Sequence, residues 1–177
     1  YRQALVNSQQ GDETTFDLEL QRAALFAFPS RDGGVGSVAD WTQNGKLRSS
    51  FWEELKTDGK FDIKKLCKFS CKFAEVVKAA ETGPWPIYVY SNIVEGSRFK
   101  NSVSGAWENT VSGAGLKLLS LILEKWGFSR FKSSSTSKRK RYMYFTGSSS
   151  DRPSASVINL FNAPGRNSNG EICRVVL

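Results

Sequence analysis

The stretch from Pro86 to Gly96, "PIYVYSNIVEG", contains an apolar run that stops at Ser91-Asn92. The run from Ile87 to Tyr90 is short, rich in β-formers and free of polar alternation, which is typical of a strand covered on both faces in a parallel sheet. A strand that ends in Ser-Asn can present a hydroxyl, an amide and backbone N–H groups to a phosphate. The alternative, that Ser91 and Asn92 only turn the chain, stays open at this point.

Predicted helices lie on both sides of this run. Apolar residues from Ile63 to Ala80 recur at three- and four-residue steps, the period of an amphipathic helix, and Ser70 can cap its main part. Gly113 to Trp126 predicts a second helix, with Leu116, Leu119, Leu123 and Trp126 on one face and Gly127 at the C′ position.

The order of the elements indicates the fold class. The remaining predicted elements are a strand at Tyr142–Phe145 that ends at Thr146-Gly147, a helix that opens at Asp151 or Arg152 with Pro153 in its first turn, and a strand at Ile172–Leu177. Helices that alternate with strands indicate an α/β fold with a parallel sheet flanked by helices. Ligands of such sheets bind at the carboxyl ends of the strands, where Ser91-Asn92 and Thr146-Gly147 are expected.

The amino-terminal part has a different composition. Leu25 to Pro29 looks like a connector, and residues 30–60 mix glycine, serine and charge around one short helix predicted at Phe51 to Lys56. We therefore predict a loop-rich connector arm over residues 1–60 and a folded lobe over residues 61–177.

Charge is concentrated in the predicted lobe. The whole chain has a net charge of +8, but residues 1–60 carry seven basic and nine acidic residues, whereas residues 61–177 carry eighteen and eight. Such an excess is expected of a domain whose partner carries phosphates, as DNA or RNA does, but many basic surfaces bind nothing, so incidental charge stays the alternative. The sequence has no histidine, which excludes Ser-His and Cys-His catalysis within this chain.

Three further segments are candidates for contact with nucleic acid. The basic tongue, Lys138-Arg139-Lys140-Arg141 after a serine-rich run, either follows a phosphate backbone or is a solvated loop. Thr146-Gly147 allows close backbone approach, and Arg152 near a helix N-terminus favours an anion. The loop from Glu95 to Ser112 offers Trp107 either as a stacking platform or as an anchor for the loop itself.

Several kinds of site are not expected. No phosphate-binding G-x-x-x-x-G-K-[ST] motif occurs, and Gly33-Gly34-Val35-Gly36 has no lysine-serine after it. Glu53-Glu54 lies in a predicted surface helix, so no acidic pair for Mg²⁺ is expected. Cys67, Cys71 and Cys173 are expected to be buried or idle thiols. A membrane span and a signal peptide are not expected either, which predicts a soluble, intracellular protein.

An ordered set of segments resembles a known family. These are "LCKFSCKFAEVV" (66–77), "PIYVYSNIVEG" (86–96), "SGAGLKLLSLILEKWGF" (112–128), "RYMYFTGSSSDRP" (141–153) and "VINLFNAPGRNSNGEICRVVL" (157–177). Together they resemble the second RecA-like domain of superfamily 2 helicases, in the large-DNA-virus branch that includes the poxvirus early transcription factor and nucleoside triphosphatase I. "LQRAALFAFPS" (20–30) is similar to the segment before that domain.

The resemblance implies a function for individual residues. Tyr90, Ser91 and Asn92 match helicase motif IV, which contacts the nucleic-acid backbone, and Thr146, Gly147 and Arg152 match the block before motif V. Motifs V and VI and the first RecA-like lobe lie outside this sequence.

The resemblance also implies partners and a setting for the parent protein. ATP and Mg²⁺ are implied for that parent, an ATP-dependent hydrolase of virion or host cytoplasm with a role in transcription. No cofactor and no activity are expected of this fragment alone. The alternative is a non-catalytic nucleic-acid-binding module.

Overall fold

The chain divides into two compact units. One consists of Tyr1–Ala74 and Ile93–Leu118, and the other of Glu75–Asn92 and Leu119–Leu177. The structure, a computed structural model, describes residues 24–29, 38–43, 46–94, 98–100, 107–109, 115–131, 140–145, 153–162, 165 and 167–177. Residues 61–74, which the sequence prediction groups with the lobe, belong by their contacts to the first unit.

Short helices and hairpins form the amino-terminal part of the first unit. They are α1 Val38–Trp41, β1 Thr42–Gln43, β2 Lys46–Leu47, α2 Ser49–Glu54, β3 Lys56–Thr57 and β4 Lys60–Phe61. β1 pairs with β2 and β3 pairs with β4, both antiparallel. The helix predicted at Phe51 to Lys56 is present, but it begins two residues earlier, and Lys56 already lies in β3.

The hairpin of β3 and β4 turns through Asp58 and Gly59. Their φ angles are 51° and 75°, both in the left-handed region. Asp-Gly is a preferred pair for the two-residue turns that need such angles, because their twist matches that of the flanking strands. The loop-rich prediction for residues 30–60 missed this hairpin, although Asp58-Gly59 is the sequence signal that indicates it.

The core of the first unit is aromatic. Phe51 is fully buried, and the ring centroids of Phe26, Trp41 and Phe69 lie 5.5–6.1 Å from its own. Trp41 also donates a hydrogen bond from Nε1 to the carbonyl oxygen of Pro29 at 2.7 Å. The segment from Leu25 to Pro29, predicted as a connector, therefore contributes to this core.

The single helix predicted over Ile63 to Ala80 is two helices, α3 Ile63–Phe69 and α4 Cys71–Thr82. Ser70 separates them with an extended backbone, at φ −158° and ψ 107°. Its Oγ accepts a hydrogen bond from the backbone N–H of Phe73 at 3.1 Å, which confirms the predicted cap. The same hydroxyl donates to the carbonyl oxygen of Leu25 at 2.5 Å, so the break is fixed by a long-range contact.

The segment predicted as a loop from Glu95 to Ser112 contains a hairpin. Its strands are β6 Arg98–Lys100 and β7 Trp107–Asn109, paired antiparallel, with Lys100 opposite Trp107. Helix α5, Leu116–Lys125, follows. The backbone N–H of Leu116 donates to the carbonyl oxygen of Ile93 at 3.0 Å, which ties the start of α5 to the loop after Asn92.

The second unit contains a parallel four-stranded sheet. Its strands are β5 Ile87–Tyr88, β8 Ser129–Arg130, β9 Arg141–Met143 and β10 Val175–Val176. Their order in the sheet is β5, β10, β9, β8, and every neighbouring pair is parallel. The prediction of an α/β fold with a parallel sheet flanked by helices is confirmed at that level.

Helices cover the two faces of the sheet. Tyr142 donates from its hydroxyl to Oε1 of Glu124 in α5 at 2.6 Å, whereas the next residue, Met143, packs with Val157 on the other face. Val157 belongs to α6, Ala155–Asn162. This helix begins at Ala155, so Pro153 precedes it instead of lying in its first turn.

The end of α5 follows the prediction closely. Gly127 has φ 85° and donates to the carbonyl oxygen of Glu124, while Phe128 donates to that of Leu123. This pair of hydrogen bonds is a Schellman motif, in which glycine at C′ adopts the left-handed conformation.

Candidate nucleic-acid interface

The carboxyl ends of β5 and β9 lie at one edge of the sheet, on either side of β10. The backbone N–H of Val89 donates to the carbonyl oxygen of Val176 at 2.8 Å, and that of Phe145 donates to Leu177 at 2.7 Å. Because all three strands are parallel, Tyr90 and Phe145, which follow the carboxyl ends of β5 and β9, lie at this edge. Parallel sheets commonly bind ligands in this position.

A cavity of about 360 Å³ lies at this carboxyl edge. It is lined by Tyr88, Val89, Tyr90, Met143, Phe145, Ile158, Phe161, Asn162, Val176 and Leu177. The lining is mostly apolar and aromatic, and the side-chain amide of Asn162 is a polar group among its residues. A pocket of this size and composition suits a small, largely apolar ligand group.

Exposed aromatic side chains surround the cavity. Tyr90 is 93% exposed and Phe145 is 61% exposed. Tyr88 within β5 is 68% exposed as well, so the prediction of a strand covered on both faces is wrong: β5 lies at the end of the strand order. Tyr88 packs its ring edge to face against Phe161 of α6, with centroids 5.7 Å apart. The family resemblance included Tyr90 beside the polar residues of this edge, but Tyr88 and Phe145 were missed, although Phe145 directly precedes the polar residue Thr146 in the sequence.

The predicted residues Ser91 and Asn92 lie at this edge, directly after Tyr90. Ser91 is half-buried and Asn92 is exposed. Their position next to the aromatic rim fits either a contact with a ligand backbone or a turn of the chain.

The two described residues of the basic tongue, Lys140 and Arg141, differ in burial. Lys140 is exposed, with Nζ 3.4 Å from Oε1 of Glu81 and 5.5 Å from the ring centroid of Phe128. Arg141 lies in β9 and is only 8% exposed. Its guanidinium donates to the carbonyl oxygen of Glu171 at 3.1 Å and lies 5.0 Å from the ring centroid of Phe131. Arg141 thus contributes to the interior of the second unit.

The other predicted site residues, Lys138, Arg139, Thr146, Gly147 and Arg152, lie outside the described residues. Ser91 and Asn92 follow Tyr90, which lines the same cavity as Phe145, and the roles of all the predicted site residues stay predictions.

Two buried tyrosines connect β9 to α5. Tyr144 donates from its hydroxyl to Oγ of Ser120, and Tyr142 donates to Glu124. Burial, followed by the hydrogen bond with Glu124, raises the pKa of Tyr142 above its ordinary value. The guanidinium of Arg130 lies 5.1 Å from the ring centroid of Tyr144. These contacts fix the orientation of the strand whose end reaches the cavity.

A buried asparagine fixes the approach to β10. Oδ1 of Asn167 accepts hydrogen bonds from the backbone N–H groups of Ile172 and Cys173, both at 2.9 Å. Cys173 is fully buried, and burial raises the pKa of its thiol to about 12. The thiol therefore stays protonated near neutral pH and is not a nucleophile there.

Metal-binding clusters and membrane-spanning helices are both absent from the part of the chain that the structure describes. Within it, no group of three or more His, Cys, Asp and Glu side chains is placed to hold a metal ion. Among the same residues, no helix is long and apolar enough to cross a bilayer. Comparisons with protein-family models, with curated proteins and with solved structures found no match.

Proposed function

We propose that this chain is the second RecA-like lobe of an ATP-dependent superfamily 2 helicase or translocase and that it binds single-stranded nucleic acid at the carboxyl edge of its sheet. One observation carries the proposal. β5 and β9 flank β10 and run parallel to it, so the segment from Tyr90 to Asn92 lies at the same edge of the sheet as Phe145.

The exposed aromatic rings at this edge support single-stranded nucleic acid as the ligand. Every base has a π-face, so aromatic platforms bind single strands with little dependence on sequence. Tyr90 and Phe145 expose most of their surface beside an apolar cavity. Bases in a duplex are already stacked on each other, whereas bases in a single strand can stack on protein rings.

The charge of the chain supports the same ligand. Residues 61–177 carry eighteen basic and eight acidic residues, and Lys138 and Arg139 precede the strand that ends at the cavity. Each phosphate that a basic residue neutralises releases counterions, which gives affinity that falls steeply with salt.

In the parent protein, ATP would bind in the cleft between this lobe and a first lobe. The opening and closing of that cleft would change the affinity of the protein for the nucleic-acid strand. Hydrolysis of ATP, bound there with Mg²⁺, would supply the free energy for this cycle. This chain would bind the nucleic-acid strand through a rim of aromatic and small polar side chains, which are Tyr90, Ser91, Asn92 and Phe145.

Fluorescence anisotropy with a labelled single-stranded oligonucleotide tests the proposal. We expect Tyr90→Ala and Phe145→Ala each to cost about 1–3 kcal/mol of binding free energy, the range for one base stacked on one ring. Trp85→Ala is the matched control, because Trp85 is 64% exposed but precedes β5 and lies at the opposite, amino end of that strand. Equal losses from all three variants, or no loss at the rim, would contradict the proposal.

The same aromatic rim favours a second candidate function, a non-catalytic nucleic-acid-binding module. The affinity of the isolated chain for nucleic acid distinguishes this module from a helicase lobe. A helicase lobe without its first lobe should bind feebly, whereas a binding module should bind tightly alone with a steep salt dependence. Charge reversal at Lys138, Arg139 and Lys140 should then weaken binding. Arg141 is left unchanged in this design because it is buried. ATP hydrolysis by the chain alone would contradict the helicase-lobe proposal.

A further inference from the structure

Two thiols meet at the junction of α3 and α4. Cys67 lies in the last turn of α3, and Cys71 is the first residue of α4. Their Sγ atoms are 3.0 Å apart, and the thiol of Cys71 also donates to the carbonyl oxygen of Cys67 at 3.4 Å. Both residues are exposed, whereas Cys173 is buried, so of the prediction of buried or idle thiols the buried alternative holds for Cys173 alone.

We propose that Cys67 and Cys71 form an oxidisable dithiol, which closes to a disulfide across the junction by exchange with a low-molecular-weight disulfide such as glutathione disulfide. A disulfide bond is about 2.05 Å long, so the two sulfur atoms need to approach by only about 1 Å. The residue between the helices, Ser70, has an extended backbone and breaks the helical hydrogen-bond pattern at this point.

The reaction proceeds in two exchanges. The thiolate of one cysteine attacks glutathione disulfide and displaces one glutathione thiolate, which forms a mixed disulfide. The thiolate of the second cysteine then attacks the protein sulfur of that mixed disulfide and displaces the other glutathione thiolate. The dithiol loses two protons and two electrons, and glutathione disulfide is reduced to two molecules of glutathione. Because the second thiol is already beside the first, the mixed disulfide should be short-lived.

The third cysteine should not take part. Cys173 is fully buried among Met143, Val157 and Val176, and burial raises the pKa of its thiol to about 12. Attack on a disulfide needs an accessible thiolate, which Cys173 lacks near neutral pH.

The new bond would affect the first unit directly. It would connect α3 to α4 around Ser70, whose hydroxyl joins the carbonyl oxygen of Leu25 to the N–H of Phe73. Oxidation would therefore restrict a junction that holds the segment carrying Phe26 in the aromatic core.

Tryptic mapping provides a sharp test, because lysines separate the two cysteines. After equilibration in glutathione buffers of increasing oxidised fraction, the protein is alkylated and digested. Cleavage after Lys65, Lys68 and Lys72 gives the peptides 66–68 (LCK) and 69–72 (FSCK), one cysteine in each. We expect these peptides to appear joined by a disulfide, with both alkylatable thiols lost together. Cys173→Ala should give the same result.

Single-cysteine variants distinguish formation of the Cys67–Cys71 disulfide from separate reaction of each thiol with glutathione disulfide. Cys71→Ser and Cys67→Ser should each accumulate a glutathione adduct on the remaining thiol, whereas the wild-type chain should not. Accumulation of stable adducts on the wild-type chain without joined peptides would overturn the proposal. So would thiols that stay reduced at every buffer composition in the wild-type chain and in both variants.

Discussion

The two units of this chain hold together by different means. In the first unit, rings from separate short elements converge on Phe51, which contacts the rings of five other residues. These are Phe26, Phe28, Trp41, Trp52 and Phe69. In the second unit, a sheet of short parallel strands is covered by α5 on one face and α6 on the other, and backbone pairing repeats from strand to strand.

Each unit is therefore sensitive to a different kind of change. One central side chain joins many parts of the first unit, so a single substitution there removes several contacts at once. The second unit spreads its stability over aliphatic layers and hydrogen-bonded strands, so its sensitivity lies in buried titratable groups and in strand pairing. The predictions that follow test this contrast.

The largest expected effect is that of Phe51→Ala. Loss of a fully buried phenylalanine should reduce the free energy of unfolding by about 3–5 kcal/mol. Leu123→Ala is the matched change in α5, where the removed side chain is also fully buried. We expect a smaller loss there, since leucine removes less buried surface. Urea unfolding measures both, and a loss at Leu123 as large as that at Phe51 would break the contrast.

The second prediction concerns the buried thiol of the second unit. Because folding raises the pKa of Cys173 to about 12 from 9.0, the unfolded state loses this proton first as the pH rises. The stability that this thiol contributes is fully present below pH 9 and is lost between pH 9 and 12, with a slope of at most about 1.4 kcal/mol per pH unit.

Cys173→Ala should flatten the pH dependence of stability between about pH 9 and 10, below the range in which tyrosines of unfolded chains titrate. Urea unfolding under reducing conditions measures the slope. An unchanged slope would show that another group is responsible. Above about pH 10 a decline should remain in the variant, because the pKa of Tyr142 is also raised.

The smallest effects compare one turn from each unit. Gly59→Ala in the hairpin and Gly127→Ala after α5 each force alanine to a positive φ angle, of 75° and 85°, at a cost of about 1–2 kcal/mol. Asp58→Gly is the control and should be neutral or slightly stabilising, because it relieves a non-glycine residue at φ 51°. Thermal unfolding measures all three, and a destabilising Asp58→Gly would contradict this account.

The second unit was largely predictable from sequence because its elements follow local rules. Local sequence patterns indicate three of these elements: the strand in the run from Ile87 to Tyr90, the helix before Gly127 and the strand before Leu177. β8 was missed because Ser129-Arg130 is short and polar. It becomes a strand only through pairing with β9, in which Phe131 donates from its N–H to the carbonyl oxygen of Tyr142 at 2.7 Å.

The first unit was poorly predicted because its contacts join distant parts of the sequence. No local pattern indicates that Phe26 packs against Phe73, or that the hydroxyl of Ser70 reaches the carbonyl oxygen of Leu25. Prediction of the candidate site was limited in the same way. The polar residues after the strands were predicted from the fold class, whereas the burial of Arg141 and the exposure of Tyr90 depend on neighbours across the sheet.

The position of β10 has a consequence for synthesis of the chain. β5 and β9 are made earlier, yet the only partner that joins them in the described sheet is β10, at Val175–Val176. While the ribosome makes the intervening residues, each of these two strands lacks its β10 partner and leaves a pairing edge open to other chains. A nascent chain paused before residue 175 should therefore be aggregation-prone and a good chaperone substrate.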